Sequence, residues 1–212
     1  MQRSPASAWA QARRTAGLAL AMALVLPGGA ARGSTVLRTD VDRMLADAAL
    51  VFEGEVIALR SERGPDGIHT WVRFAVRDVL KGRAADTVEL RFMGGTVDGI
   101  VREVVGSPIP ALGERGIYFV EATDRFLVNP LYGWHQGRLR VVPDARGRAR
   151  VLSSGGAPVV AVGAPVAPRA GGIARAGDTA AGIAVAHGAP PEDALDVGQV
   201  KAALAERLAR LP

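Results

Sequence analysis

Apolar and polar side chains alternate along residues 50–60 and again along residues 68–80. This period of two is typical of half-buried β-strands, and Gly54 predicts a bulge in the first of them. The Gly-Pro-Asp-Gly sequence of residues 64–67 is a strong turn signal, so the two strands are expected to form an antiparallel hairpin. Arginines mark one face of the second strand as solvated, and Trp71 is predicted to lie there with its ring over arginine stems.

Shorter alternating runs follow, and glycine or proline separates most of them. Glycine allows positive φ at turns and proline removes a ladder donor, so this spacing indicates short strands joined by specified turns. The pattern predicts a small antiparallel barrel or sandwich over residues 39–152. Its further strands are expected at residues 86–92, 97–105, 116–120, 125–131, 138–142 and 148–152.

Two segments have the spacing of amphipathic helices. Residues 39–48 predict a short helix with a capping side chain at either of its first two positions. Residues 196–211 carry apolar residues on one stripe, and Asp196 with Gln199 has the spacing of a capping box. We expect this C-terminal helix to dock on the β domain, with partner binding as the alternative.

Composition changes on both sides of the predicted domain. Residues 1–33 combine early arginines, an apolar run at residues 16–26, a Pro-Gly-Gly break and a small-residue tail, which predicts a signal peptide cleaved after Ala31 or Gly33. The run is shorter than the roughly 20 residues that span a bilayer, so the mature chain is expected to lack a transmembrane segment and to be periplasmic or secreted. Residues 153–191, rich in Gly, Ala, Val and Pro, predict a flexible linker.

Net charge argues against nucleic-acid binding. The whole chain has 26 Lys and Arg against 21 Asp and Glu, but four of the arginines lie in the predicted signal peptide. The remaining chain is close to neutral and lacks the cation surplus that phosphate backbones require. The absence of cysteine removes disulfides, thiolate zinc sites and cysteine nucleophiles, so the domain must be held by its core.

No residue pattern assembles a catalytic or metal site. The histidines, His69, His135 and His187, lack the spacing of a zincin motif. No serine lies in a nucleophile elbow. Glu53 and Glu55 share one face of a predicted strand, and we interpret them as a solvated edge. The sequence therefore predicts a non-enzyme without cofactor or metal.

An aromatic loop is the best candidate for a contact surface. Tyr132, Trp134 and His135 gather between glycines at residues 133 and 137, a composition favoured in binding sites. Trp71 on the solvated strand face is a further candidate. The structural alternative is a loop whose tryptophan covers one end of the domain.

Several motifs occur in a fixed order between residues 47 and 142: ADAALVFEGEVIALRSERG (which begins one residue earlier), HTWVRFAVRDVLKG, VELRFMGGTVDG, VVGSPIPALGERGIYFVE and LYGWHQGRLRVV. They resemble a group of exported bacterial proteins of unassigned role, which is similar in turn to the OB-like barrel of tissue inhibitors of metalloproteinases and netrin-type modules. Similar barrels also occur beside matrixin-type proteases. The resemblance implies a small OB-like antiparallel barrel, closed or nearly closed. With the two helix patterns, the predicted fold is mainly β: this barrel with a short N-terminal helix and a separate C-terminal amphipathic helix.

The resemblance does not bring an inhibitory mechanism with it. The animal inhibitors chelate the protease zinc through an N-terminal cysteine, and this chain has no cysteine. We therefore expect a non-catalytic exported binding or structural module whose partner is a protein or a cell-envelope component. The alternatives are a regulator of a secreted metalloprotease that acts through barrel loops, and an unrecognised hydrolase.

Overall fold

Two long strands form the centre of the fold. The computed structural model describes residues 37–163 and 178–211, so the predicted signal peptide lies outside the described residues. The elements in this part of the chain are α1 (Val41–Asp47), β1 (Leu50–Gly64), β2 (Gly67–Lys81), β3 (Thr87–Met93), β4 (Gly95–Val97), β5 (Ile100–Arg102), β6 (Arg115–Val120), β7 (Arg138–Pro143), β8 (Ala149–Leu152), β9 (Val159–Val162), β10 (Ile183–Val185) and α2 (Val197–Leu208).

Strands β1 and β2 form the predicted hairpin within an antiparallel sheet of order β3-β2-β1-β6-β7-β8. The register of β1 against β2 shifts between Glu53 and Gly54, which confirms the predicted bulge. A Cβ at position 54 would lie 2.9 Å from the carbonyl oxygen of Ala75. Only glycine therefore fits at this point without moving the neighbouring strand.

The mainly β class and both helices are confirmed, but the main sheet is open. Strands β3 and β8 are its two outer strands, and they do not pair with each other in the described part of the chain. The outer edge of β8 is instead bridged by Pro158 and Asp196, and the amide of Met93 in β3 donates to the carbonyl of Val128 at 2.9 Å. Short segments thus cover parts of both edges. The expectation was a closed or nearly closed barrel, and the described residues do not form a closed one.

Two of the shorter predicted strands are wrong. Residues 97–105 divide into β5 and the end of β4, because Asp98 and Gly99 both have positive φ (51° and 76°) and turn the chain back on itself. Residues 125–131 form a loop that joins the sheet through an isolated bridge from Leu131 and through the hydrogen bond from Met93 to Val128. The side chain of Asn129 holds that loop by accepting from the Leu131 amide at 2.8 Å.

Each face of the sheet has its own apolar core. Alternate residues of β6 point to opposite faces, so Ile117 and Phe119 belong to one cluster while Tyr118 and Val120 belong to the other. The first cluster is covered by α1, α2, β9 and β10. The second is filled by aromatic rings, including Phe52, whose centroid lies 5.4 Å from that of Tyr118.

The predicted linker is wrong for the residues that the structure describes. Strands β9 and β10 pair within residues 153–191, and Val159, Ala180 and Ile183 are buried in the first core cluster. Small apolar side chains suffice there because the sheet and α1 already supply one wall of the core. The middle of the predicted linker, residues 164–177, lies outside the described residues.

The C-terminal helix docks on the domain, as expected. Its cap is Asp196, whose carboxylate accepts from the Gln199 amide at 2.9 Å, and the Gln199 side chain completes the capping box. Val200 and Leu204 are fully buried in the first core cluster. The prediction of a separate helix is therefore corrected: α2 is a wall of the core.

Candidate functional site

The β4–β5 hairpin borders a cleft of about 490 Å³. One wall is the hairpin itself, which turns through the two residues Asp98 and Gly99. A two-residue turn with positive φ at both positions matches the right-handed twist of the strands. The opposite wall is the loop that leaves β5. The lining residues are Gly95, Thr96, Val101, Arg102, Glu103, Val104, Val105, Gly106, Ser107, Pro108 and Ile109.

Large apolar side chains are exposed along this segment. Ile100 is 52% exposed, Val101 64% and Val105 70%, and Leu112 in the same loop region is 66% exposed. Single exposed apolar residues are ordinary on a protein surface, but several within one short segment are not. They contrast with the fully packed cores on both faces of the sheet.

The hairpin leaves the backbone of Val101 facing outward. Ile100 pairs with Val97 directly beside the two-residue turn, and Val101 is opposite Thr96. In such a hairpin the pair next to the turn exchanges both hydrogen bonds, and the following pair directs its amides and carbonyls away from each other. Among the described residues, no backbone hydrogen bond to the Val101 amide or carbonyl is present outside the hairpin.

The two charged residues of the cleft have no ionic partner among the described residues. Arg102 Nη1 donates to the carbonyl oxygen of Asp66 at 2.8 Å. Its guanidinium packs on Gly67, where any Cβ would overlap it. Within the part of the chain that the structure describes, no carboxylate pairs with Arg102 and no cation pairs with Glu103.

A buried ionic pair holds the wall of the cleft in place. Glu114 accepts from Arg138 Nε at 2.7 Å, and both side chains are only 9% exposed. Arg138 also donates to the carbonyl of Pro108 at 3.4 Å, and Tyr118 donates to Glu114 at 3.2 Å. Burial raises the pKa of Tyr118 well above its usual value, and the Glu114 charge adds to that effect. The tyrosine therefore stays a neutral donor to this carboxylate.

Two of the predicted contact residues lie at the rim of the cleft. Trp134 begins a short 3₁₀ helix (Trp134–Gly137), with a positive φ of 60° that is unusual for a bulky residue. A Cβ placed on Gly106 would lie 3.8 Å from its ring. His135 Nδ1 lies 3.3 Å from the carbonyl oxygen of Gly106. The structure therefore brings Trp134 and His135 to Gly106 of the cleft lining.

Tyr132, the third candidate residue of that loop, does not line the cleft and instead makes structural contacts. Its hydroxyl donates to Asp47 Oδ2 at 2.9 Å, and its ring packs against the first core cluster. Burial raises the pKa of Tyr132, and the hydrogen bond to Asp47 raises it further. Tyr132 thus joins the loop to the end of α1.

Sequence reasoning missed Gln136 in the same loop. Its side chain is fully buried, accepts from the Thr39 amide at 2.9 Å and donates to the Leu37 carbonyl at 2.9 Å. These bonds fix the segment that precedes α1. No local pattern marks Gln136, because its partners lie far away in the sequence.

Trp71 belongs to a second aromatic group on the outer face of β2. Its Nε1 donates to Glu62 at 2.6 Å, and the Arg60 guanidinium lies 5.8 Å from its ring centroid. The arginine near this ring is thus Arg60 of β1, which approaches with its guanidinium, whereas the prediction placed the ring over arginine stems of its own strand. Phe126, which is 71% exposed, meets Trp71 edge to face at 6.2 Å and has Arg91 over its own ring at 4.4 Å.

The interpretation of Glu53 as solvated is wrong. Its side chain is almost fully buried and accepts from Arg115 at 2.8 Å and 2.5 Å and from Lys201 of α2 at 2.7 Å. Burial alone would raise the pKa of Glu53, but hydrogen bonds from Lys201 and Arg115 outweigh it and lower the pKa. Glu53 therefore ties α2 to the sheet. Glu55 instead pairs with Arg77 at 2.7 Å near the surface.

The described residues hold no group of three or more His, Asp or Glu side chains placed to bind a metal ion. His69 is buried in the sheet, where its Nδ1 accepts from Arg91 at 3.1 Å. Across residues 37–163 and 178–211, the structure has no helix of the length and apolar character needed to cross a membrane. No protein-family model, curated protein or solved structure matches this chain.

Proposed function

We propose that the chain is an exported, non-catalytic module that binds a protein partner through the β4–β5 hairpin and its cleft. The observation that carries this proposal is the group of exposed apolar side chains, Ile100, Val101 and Val105, which lie close together in the sequence, in the segment that borders the cleft. Exposed apolar groups of this kind are typical of protein interaction sites.

The lining of the cleft suits binding better than catalysis. Its titratable side chains are Arg102 and Glu103, and its hydroxyls belong to Thr96 and Ser107. Ser107 is buried and accepts from Asn129 at 2.9 Å, so its hydroxyl is part of the loop's internal bonding. A nucleophile activated by a neighbouring base is the arrangement that covalent catalysis requires, and these contacts do not supply one.

Affinity capture with matched variants tests the binding surface. The tagged mature chain is incubated with the native envelope and secreted fractions, alongside the double variant Val101→Asp/Val105→Asp and the control Phe126→Asp. Phe126 is as exposed as Val105 but belongs to the Trp71 group. We expect the parent and the control to recover the same partner, and the double variant to recover at least about tenfold less.

Each opposite result has a definite meaning. Equal recovery by all three proteins, with unchanged melting temperatures, would refute the proposed surface. Loss of the partner with Phe126→Asp alone would transfer the contact surface to the Trp71 group. If the captured partner is a secreted metalloprotease, a peptidase assay with and without the purified chain distinguishes regulation from simple binding.

Export is tested separately by the mature N-terminus. The pattern of residues 1–33 supports processing after Ala31 or Gly33. N-terminal sequencing of the chain recovered from the native envelope or medium should give Arg32 or Ser34 as the first residue. A chain that retains its first residues and stays in the cytoplasm would contradict export.

A further inference from the structure

We propose that the partner binds as an added antiparallel strand along the outer edge of β5. In this arrangement an apolar residue lies opposite Val101, an acidic residue opposite Arg102 and a basic residue opposite Glu103. The inference rests on the proposed function and specifies how that same surface recognises its partner. It commits the partner to an extended segment with the order basic, acidic, apolar.

The backbone of β5 has an outward-facing donor and acceptor for an added strand at its outer edge. The Asp98-Gly99 turn fixes which residues of β5 bond to β4, and Val101 is the one whose amide and carbonyl point outward. An outward donor and acceptor on a strand edge match the backbone of an extended chain, and strand addition is an established mode of peptide recognition. Val101 also lines the cleft, so an added strand would lie in it.

The apolar side chains of β5 also favour an added strand. Ile100 and Val101 are β-branched, more than half exposed and adjacent, so they point to opposite faces of the strand. A neighbouring strand would cover both faces at once, whereas a compact ligand in the cleft would cover only one. Cross-strand pairs between β-branched residues are among the stabilising contacts of sheets.

The charges of Arg102 and Glu103 indicate which residues the bound segment carries opposite them. Arg102 and Glu103 line the cleft without ionic partners in the described part of the chain, whereas Arg138 and Glu114 behind the cleft wall form a buried pair. An antiparallel strand runs in the opposite direction, so its residues opposite Glu103, Arg102 and Val101 follow one another from N to C terminus. Opposite charges at directly facing positions stabilise a strand pair.

A second copy of this chain fits less well. Two copies of β5 that bond through their outward Val101 groups must pair positions whose numbers differ by an even amount. Arg102 and Glu103 are adjacent, so no such antiparallel register places one opposite the other. A heterologous segment is therefore the better complement to both charges.

Binding of synthetic peptides to the full-length chain tests the inference. The probe is the acetylated, amidated hexapeptide TKEVVT, in which the first valine faces Val101 and the glutamate faces Arg102. Binding is followed by the chemical shift and hydrogen exchange of the Val101 amide. N-methylation of the first valine should weaken binding at least about tenfold, because that amide bonds to β5. N-methylation of the second valine should leave binding within about twofold, because that amide faces solvent.

A charge exchange gives an independent readout. The variant Arg102→Glu should bind TKEVVT at least about fivefold more weakly and should recover affinity for TKRVVT. Equal weakening by the two N-methylated peptides, or no binding of TKEVVT at millimolar concentration, would overturn strand addition. Those results leave the proposed function standing if Val101→Asp/Val105→Asp still loses the captured partner, so the two failures are distinguishable.

Discussion

Replacing Leu204 with alanine tests whether α2 is a wall of the core. Leu204 lies in the middle of the helix, is fully buried and belongs to the cluster that contains Met44 of α1 and Val159 of β9. The substitution keeps helix propensity, because alanine is the best helix former. Any loss of stability therefore reports the packing of α2 against the sheet.

The structure sets the size of the effect. Truncating a fully buried leucine removes its transfer free energy and leaves a cavity, which together cost about 2–5 kcal/mol. For a chain of this size each kcal/mol lowers the melting temperature by roughly 2–4 °C, so a cost of about 3 kcal/mol corresponds to roughly 6–12 °C. A helix tethered by a flexible linker would give a change of about 0.5 kcal/mol or less.

Urea denaturation of the mature chain, followed by far-UV circular dichroism, measures this difference. The matched control is Glu206→Ala on the same helix, where the side chain is 64% exposed and forms a surface ion pair with Arg210. We expect the control to unfold within about 0.5 kcal/mol of the parent. If the free energy of unfolding of Leu204→Ala also equals that of the parent, α2 does not contribute to the core. The prediction of a flexible linker would then be supported.

Three further substitutions probe the turn, the N-terminal segment and the buried carboxylate. Gly95→Ala should lower the melting temperature clearly more than Gly99→Ala. Both positions have positive φ, but only a Cβ at Gly95 would overlap Thr70. Equal decreases in melting temperature would contradict the turn geometry. Gln136→Ala should cost about 1–3 kcal/mol and speed hydrogen exchange of the Thr39 amide, and unchanged exchange would refute its bracing role. The pKa of Glu53 is lowered from its usual 4.5, so its charge stabilises the fold above that pH and the contribution is lost as pH falls through the lowered value. Glu53→Gln should therefore be less stable at pH 7 and lose less stability than the parent between pH 5 and pH 2, as measured by melting temperature; parallel pH profiles would contradict this assignment.

The elements that sequence predicts well are those whose signals are local. The β1–β2 hairpin is an example, because alternation, the turn residues and the bulge at Gly54 all lie within one continuous stretch. The capping box of α2 is another, since Asp196 and Gln199 are three residues apart. In both cases the residues that determine the element are neighbours in the sequence.

The missed features depend on partners that are distant in the sequence. Strands β9 and β10 have few large side chains, and they become core strands only because the sheet and α1 provide the surface on which they pack. Glu53 has the appearance of a surface residue until Lys201 and Arg115 are brought to it by α2 and β6. Asp98-Gly99, in contrast, carried a local hairpin signal that the longer strand prediction of residues 97–105 overlooked.

The β4–β5 segment is where local pattern and burial disagree most. Its β-branched residues have the composition of a buried strand, yet Ile100 and Val101 are exposed and the loop behind them is held by the Glu114–Arg138 pair. A natural sequence is usually consistent from propensity to packing, and the exceptions concentrate where function sets the residue. An extended partner would restore that consistency, because it would bury the apolar side chains, bond the outward backbone of Val101 and neutralise Arg102 together. Strand addition therefore explains three otherwise separate features of this hairpin with a single occupant.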